Sequence, residues 1–331
     1  MPDLTRRTLL AGAAATGALA ATASLAQTDR LDTAPKLTGK AILITGCSSG
    51  FGRLMAEDFA RKGARVFATM RNLPRPEADE LQALADAEKL DLHVVEIDVT
   101  DDAQVAAGIA EAERIAGGAL DVLINNAGIS TAGPIEIQDM QATQLLFDTN
   151  VYGPHRLARA ALPAMRARKA GQIVNVTSQL GRVIVPGYGQ YSATKFALEA
   201  MSEQMAYELV PHGIDVTIIE PGGYPTKIWE NANRLTIALL DRADETHLAG
   251  YPAMIEQLRG RAGGGGSTDP MDVPNAIAAI IAMPPGTRPL RKPVHPGPKP
   301  QVPINEVSAS VQVGWLGESP YGPMIRAVHN V

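Results

Sequence analysis

The sequence has little with which to cross-link itself. Cys47 is the only cysteine in 331 residues, so no intramolecular disulfide can form. The six histidines lie apart, at 93, 155, 212, 247, 295 and 329, without HExxH spacing, and give no metal site. Aromatic residues are scarce: five Phe, two Trp and seven Tyr. That argues against a stacking face for sugars or single-stranded nucleic acid. Excess positive charge is missing too. A net charge of −5 offers no field for nucleic acid or anionic lipid. What is present is a chain 45% hydrophobic and 20% charged, enough to bury a large core rather than stay disordered.

The first 26 residues read as an address. Arg6 and Arg7 precede an Ala/Gly-rich stretch from Ala11 to Ala23, and Ser24-Leu25-Ala26 offers the small residues of a cleavage site. A charged start, a short apolar run and a small-residue end fit a bacterial export signal, here of the twin-arginine type. The run is too short for a membrane-spanning helix, so no span is expected in the mature chain. The expectation is a periplasmic or otherwise exported protein, or a cytoplasmic one if the leader is not functional. Residues 1–26 are set outside the fold and 27–37 read as a linker.

From Lys40 onward, short apolar runs alternate with helical patterns. Ala41-Ile42-Leu43-Ile44 is a continuous apolar run, as a strand buried on both faces requires. Further strands are expected at 65–69, 93–99, 121–125, 172–177 and 215–220, with a last edge strand around Pro289–Val294. Helices are expected over 51–62, 77–89, 101–116, 139–168 and 191–210. Strand–helix alternation predicts an α/β fold, a Rossmann-like doubly wound parallel sheet in a single domain over 38–296. Segment 223–270, with no strand signal, reads as an extended substrate loop, and Gly263–Gly266 inside it as a flexible hinge. Tyr224, Ile228, Trp229, Leu235, Leu239 and Leu240 would give its apolar surface. The Pro-rich C-terminal extension 297–331 is expected to cap the substrate cleft or a neighbouring subunit.

Two places carry chemistry. Thr45-Gly46-Cys47-Ser48-Ser49-Gly50-Phe51-Gly52 joins the first strand to the first helix. Glycines there let the chain approach a pyrophosphate, whose charge meets the helix N-terminus. Cys47 reads as a small loop residue, since no histidine partner lies nearby. At the end of the second strand, where an acid would hold the ribose 2′-OH of NAD, stand Met70 and Arg71. A guanidinium matches a 2′-phosphate, which favours NADP(H) over NAD(H). Further along, Tyr191 and Lys195 are four apart and share a helix face. An ammonium beside the phenol would lower its pKa and make Tyr191 a proton donor and acceptor. Ser178 ends the preceding strand, where a doubly wound sheet binds ligands.

These motifs together resemble the short-chain dehydrogenase/reductase family: the TGxxxGxG loop at 45–52, Asp98-Val99, Asn125-Asn126-Ala127-Gly128, Asn150, Ser178 ahead of Tyr191-x-x-x-Lys195, and Pro221-Gly222 with Thr226. The likeness covers roughly 38–295. Within the family, Val66-Phe67-Ala68-Thr69-Met70-Arg71-Asn72 is similar to the NADP-type branch that includes hydroxysteroid and retinol dehydrogenases. The resemblance implies Tyr191 as acid/base, Lys195 beside it on the nicotinamide ribose, Ser178 orienting the substrate oxygen and Asn150 holding a water that relays to Lys195. It implies Gly46, Ser48, Ser49, Gly50, Phe51 and Gly52 at the phosphates and Asp98 and Val99 at the adenine. Asn126, Ala127, Gly128, Pro221 and Gly222 would line the cofactor, and Thr226 would bind its carboxamide. The expected reaction interconverts a small hydrophobic secondary alcohol and a ketone, or an aldehyde, with NADP(H). Helices 139–168 and 191–210 would form a homodimer or homotetramer interface. The alternatives are a nucleotide-binding sensor or structural protein on the same fold, and an enzyme that retains its NADP between two substrates.

Overall fold

The computed structural model describes residues 35–261 and 263–331. The leader and most of the linker read from the sequence lie outside the described residues. Among those residues the strands form one sheet. β1 (Ala41–Ile44) and β4 (Val122–Asn125) lie side by side at its centre. β2 (Arg65–Met70) and β3 (Leu92–Glu96) extend it one way. β5 (Gly171–Val176), β6 (Ile214–Pro221) and β7 (Arg291–Val294) extend it the other. Every pairing is parallel, in the order β3-β2-β1-β4-β5-β6-β7.

Successive strand residues face opposite layers, as the two-residue period demands. Ile42, Ile44, Val66, Ala68, Val122 and Ile124 point into one core, closed by α1 (Gly50–Arg61), α2 (Pro76–Glu88) and α10 (Asp272–Ile281). Leu43, Phe67, Leu123 and Ile173 point into the other, closed by α3 (Asp102–Ala116), α5 (Gly153–Arg168) and α6 (Gly189–Leu209). Both layers are dry, so a continuous apolar run is what such a strand needs, each buried Leu or Ile being worth about 1.5–3 kcal/mol.

Strand order reverses between β1 and β4, and the crevice beyond their C-terminal ends is where such sheets bind ligands. Two loops border it and are stitched together. Thr45 Oγ1 accepts from the backbone N–H groups of Asn126 and Ala127, both at 2.9 Å. Asn126 Nδ2 donates back to the Thr45 carbonyl at 2.8 Å. Deeper down, Asn125 donates to Asn175 at 2.8 Å, and Asn175 to the Ser202 hydroxyl on α6 at 2.7 Å. This buried polar chain locks the relative height of β4, β5 and α6.

The helix expected over 139–168 is α4 (Met140–Phe147) and α5, joined through a wider π turn at Asp148–Tyr152. Segment 223–270 is largely helical: α7 (Ile228–Arg242), the single turn α8 (Glu245–Leu248) and α9 (Pro252–Arg259). Leu239, Leu240 and Leu258 bury together as a small third core. Arg242 pairs with Asp139, the cap of α4, and ties that insertion to the sheet domain.

The glycine run is not a free hinge. A Cβ on Gly264 would lie 2.5 Å from the Trp229 ring, and one on Gly265 would lie 2.2 Å from the Tyr224 carbonyl. Glycine is needed at both for close packing.

The C-terminal extension does not cap the cleft. It forms α11 (Gln301–Leu316) and α12 (Gly322–His329), which pack beside β7 and α6, and none of its residues lines the cleft. Polar groups hold it there. Gln301 donates to the Glu220 carbonyl at 3.3 Å, and Asn305 Nδ2 reaches both Glu220 carboxylate oxygens at 2.7 and 3.0 Å. Arg291 on β7 completes the nest, with Glu199 at 2.8 Å, Glu203 at 2.6 Å and Glu220 at 3.6 Å.

Candidate active site

A cleft of about 420 Å³ opens at the sheet's switch point. Its floor is the turn after β1. Gly46, Ser48, Ser49, Gly50 and Phe51 line it, whereas Gly52 lies beneath. A Cβ on Gly52 would come within 2.3 Å of the Gly46 carbonyl, so Gly52 serves the tightness of the turn rather than the cleft wall. Ser49 precedes α1 without a side-chain cap bond, and the first helical turn holds no acid. The helix therefore presents uncapped N–H groups to the cleft.

Cys47 in this turn faces inward. Its thiol donates to the Ile44 carbonyl at 3.2 Å, and burial pushes its pKa up to about 12. It is a space-filling residue, as its surroundings in the sequence suggested.

One end of the cleft is lined by Arg71, Asp98 and Val99. Met70 is buried and leaves Arg71 to face out. Arg71 lies 3.6 Å from Asp98, whose carboxyl also accepts from the Thr100 N–H and hydroxyl. Burial would raise the Asp98 pKa, but the Thr100 bonds and Arg71 outweigh it and hold it low. Asn126, Ala127 and Gly128 line the middle, and Pro221, Gly222 and Thr226 border the far side.

Ser178, Tyr191 and Lys195 meet on the opposite wall. Ser178 follows the end of β5 by two residues and Tyr191 enters with the first turn of α6, so one strand end and one helix set their spacing. The Ser178 hydroxyl stands beside the Tyr191 phenol, close enough to favour the phenolate. Lys195 Nζ lies 5.7 Å from the Tyr191 ring centroid and donates to the Val176 carbonyl at 3.0 Å. Asn150 stands behind them rather than in the cleft wall. Its oxygen accepts from the Ile129 N–H at 2.9 Å, and its amide donates to the Ile129 carbonyl at 2.8 Å and Thr194 at 3.1 Å. The π turn that carries Asn150 swings it toward this loop, which an uninterrupted α-helix would not do.

The electrostatics differ from the sequence expectation. Burial dominates at both titrating groups. It pushes the Tyr191 phenol up to about 12, although the neighbouring Ser178 hydroxyl favours the phenolate. It pulls Lys195 down to about 8, with Glu199 one turn away opposing the fall. The ammonium lies over the ring, 5.7 Å from its centroid, and does not offset the phenol's burial.

A family model for the short chain dehydrogenases matches residues 40–235, more than half of the chain. The chain belongs to that family. It is 39% identical over 191 residues to retinol dehydrogenase 8 of Bos taurus, over 57% of this chain and 60% of that protein. The match thus spans well under two thirds of that relative's length. A gluconate 5-dehydrogenase from Burkholderia cenocepacia, solved with NADP and tartrate, is 30% identical with a TM-score of 0.56, covering 63% of this chain and 80% of its own. A short-chain dehydrogenase/reductase from Burkholderia phymatum, solved with NAD, has a TM-score of 0.65 at 24% identity, over 86% of this chain and 97% of its own, and shares the fold.

The site residues read from the sequence are brought together, apart from Gly52 and Asn150, which lie just behind the cleft. Of the expected apolar surface, Tyr224, Ile228 and Trp229 line the cleft, whereas Leu239 and Leu240 are buried in the third core and Leu235 lies off the cleft. Sequence reasoning missed Tyr188 and Arg261, which face each other across its outer end. A lone arginine in a region without strand signal gave no pattern to find it by.

Proposed function

We propose that this short-chain dehydrogenase is an NADP(H)-dependent oxidoreductase that interconverts a secondary alcohol and a ketone, or an aldehyde, with Tyr191 as acid/base. The observation that carries the reading is the meeting of Ser178, Tyr191 and Lys195 on the cleft wall, with Lys195 over the ring, facing the glycine turn. The residues present fit a dinucleotide. The uncapped start of α1 and the hydroxyls of Ser48 and Ser49 suit a pyrophosphate. Asp98 and Val99 would hold the adenine, Asn126 to Gly128 the middle, and Thr226 the carboxamide. Arg71, half-exposed and only loosely paired to Asp98, is free to take a 2′-phosphate. When bound, the nicotinamide supplies or accepts the hydride.

The chain's own residues handle the proton. In the reducing direction Tyr191 donates to the developing alkoxide, and Ser178 holds that oxygen. Lys195, in its charged form, stabilises the phenolate left behind. Tyr191→Phe should lower turnover by about 10²–10⁴-fold while the cofactor dissociation constant stays within about threefold. Survival of turnover would refute the reading and favour the nucleotide sensor. Arg71→Ala should weaken kcat/KM for NADPH and spare NADH; equal effects would remove the NADP preference.

Two further parts of the reading concern place and assembly. The paired Arg6 and Arg7 support export, which subcellular fractionation of the precursor and of an Arg6→Lys, Arg7→Lys variant tests. Exposed Leu145, Tyr152 and Phe196 on α4 to α6 support a homodimer or homotetramer through those helices, which sedimentation of a Phe196→Glu variant tests.

A further inference from the structure

The outer end of the cleft holds a permanent positive charge without a counter-charge. Arg261 follows α9 and lines the cleft together with Tyr188, Trp229, Asn231 and Asn233. Its guanidinium carbon lies 5.1 Å from the Trp229 ring centroid and 5.5 Å from that of Tyr188. Its Nη2 donates to the Tyr188 hydroxyl at 2.7 Å. Trp229 is fixed in turn, its indole N–H on the Tyr224 carbonyl at 2.7 Å and its ring against the glycine run. Two aromatic rings thus hold the guanidinium in place on the cleft wall.

Nothing in the surroundings neutralises it. Asp98 is the only carboxylate among the residues lining the cleft, and it stands at the adenine end beside Arg71. No Asp or Glu pairs with Arg261 among the described residues, whereas Arg242 and Arg259 of the same insertion each have a carboxylate partner. A guanidinium carries five N–H donors and stays charged at every working pH. Here only the Tyr188 bond uses one among the described residues. A fork of this kind, poorly hydrated and preorganised, matches a carboxylate or phosphate in shape and charge. Ile228 and Leu258 add apolar surface to the same cleft.

Resting on the oxidoreductase reading above, we propose that Arg261 is the anion-recognition residue of the substrate site. The substrate then carries a carboxylate or a phosphate at the end remote from its reacting carbon. It is an amphipathic hydroxy or oxo acid, or a phosphate ester, rather than a neutral apolar alcohol. Tyr188 keeps the fork oriented, and its carbonyl accepts the Tyr191 N–H at 3.1 Å, so the anion site and the acid/base share one turn of chain.

The test compares matched pairs in the oxidising direction with NADP⁺ and NAD⁺ both supplied. One arm uses 3-hydroxybutanoate, 3-hydroxyhexanoate and 3-hydroxyoctanoate against their methyl esters. The other uses propane-1,2-diol 1-phosphate against the free diol. At least one anion should exceed its neutral partner in kcat/KM by about 10- to 100-fold, mostly through KM, as a charge-assisted hydrogen bond allows. The arm that responds names the anion. Arg261→Met should bring the pair within about threefold of each other, with the larger loss on the anion and carried by its KM, and Arg261→Lys should retain part of the preference. Equal turnover of both partners in the wild type, or an equal loss on both in Arg261→Met, overturns the proposal and leaves the oxidoreductase reading standing. If no compound of either arm is oxidised, calorimetry decides. Hexanoate binding that exceeds hexanamide binding and is lost in Arg261→Met supports the anion site, and absence of that difference overturns it.

Discussion

Replacing Arg291 by methionine would strip Glu199, Glu203 and Glu220, packed behind the helix that carries Tyr191, of the guanidinium they share, and leave Glu199 and Glu220 only the weaker pull of Arg182. Glu199 and Glu220 have side chains only 2% and 0% exposed, and Glu203 20%, so water cannot take over. Asn305 would still reach Glu220, and Thr177 still donates to Glu199 at 2.7 Å, but neither brings charge. Breaking a buried ion pair from one side costs about 3–5 kcal/mol. In a domain of this size that corresponds to a melting shift of roughly 6–20 °C. The loss should depend on pH in a definite direction. Burial already raises the Glu199 and Glu220 pKa values, and Arg291 opposes the rise at both. Without Arg291 the folded-state values climb further above the unfolded ones. Between the two values the folded chain binds more protons than the unfolded chain, so stability falls as pH rises. Urea unfolding of both proteins at pH 5.5 and pH 8 reads this. The Arg291→Met deficit should be largest at pH 8 and shrink at pH 5.5. A deficit that is equal at both, or below about 1 kcal/mol at pH 8, would refute the reasoning.

Three further outcomes follow from the same geometry. Gly264→Ala must displace the Trp229 ring, at a cost of about 1–3 kcal/mol, and should shift its fluorescence and raise substrate KM while cofactor affinity stays unchanged. Cys47, buried with a thiol pushed up to about 12, should resist iodoacetamide at pH 8 in the native protein and react readily in guanidinium. Lys195 is held near 8 when folded, below its ordinary 10.5, so the unfolded chain binds the extra proton between those values. Cofactor-free stability should therefore gain from this group as pH rises from 8 to 10.5, and a Lys195→Met series of urea melts should lack that component.

The sheet was legible because its strands are buried on both faces. Ala41–Ile44 and the strands after it are apolar runs bounded by turns, and their edges match observation to within a few residues. His93–Val99 ran too long, since β3 ends at Glu96 and the next residues turn toward Asp98. The cleft was legible wherever residue type and spacing state a chemical need, as with Tyr191 and Lys195 four apart. The role of Gly52 was not, because a loop glycine can serve a ligand or the turn itself, and only the 2.3 Å approach to Gly46 decides. Nor was the tyrosine's electrostatic setting. Spacing places an ammonium near a phenol, but burial depends on every layer packed above, and here it wins. The C-terminal helices were hidden by Pro298, Pro300 and Pro303, which read as a loop yet sit before or within the first turn of α11.

The partners of Glu220 give synthesis a direction. This carboxylate sits next to Pro221 and Gly222 at the cleft, yet Gln301 and Asn305 lie 81 and 85 residues further along the chain. On the ribosome, β6 is complete long before the helix that satisfies it emerges. Until then Glu220 lacks the Asn305 amide on its carboxylate and the Gln301 amide on its carbonyl, and burying either without a partner costs free energy. The last helices therefore complete the polar pairing of β6 after every strand of the sheet has been made. A chain cut short before α11 would keep Ser178, Tyr191 and Lys195 and lose the two amides that meet Glu220 at the end of β6.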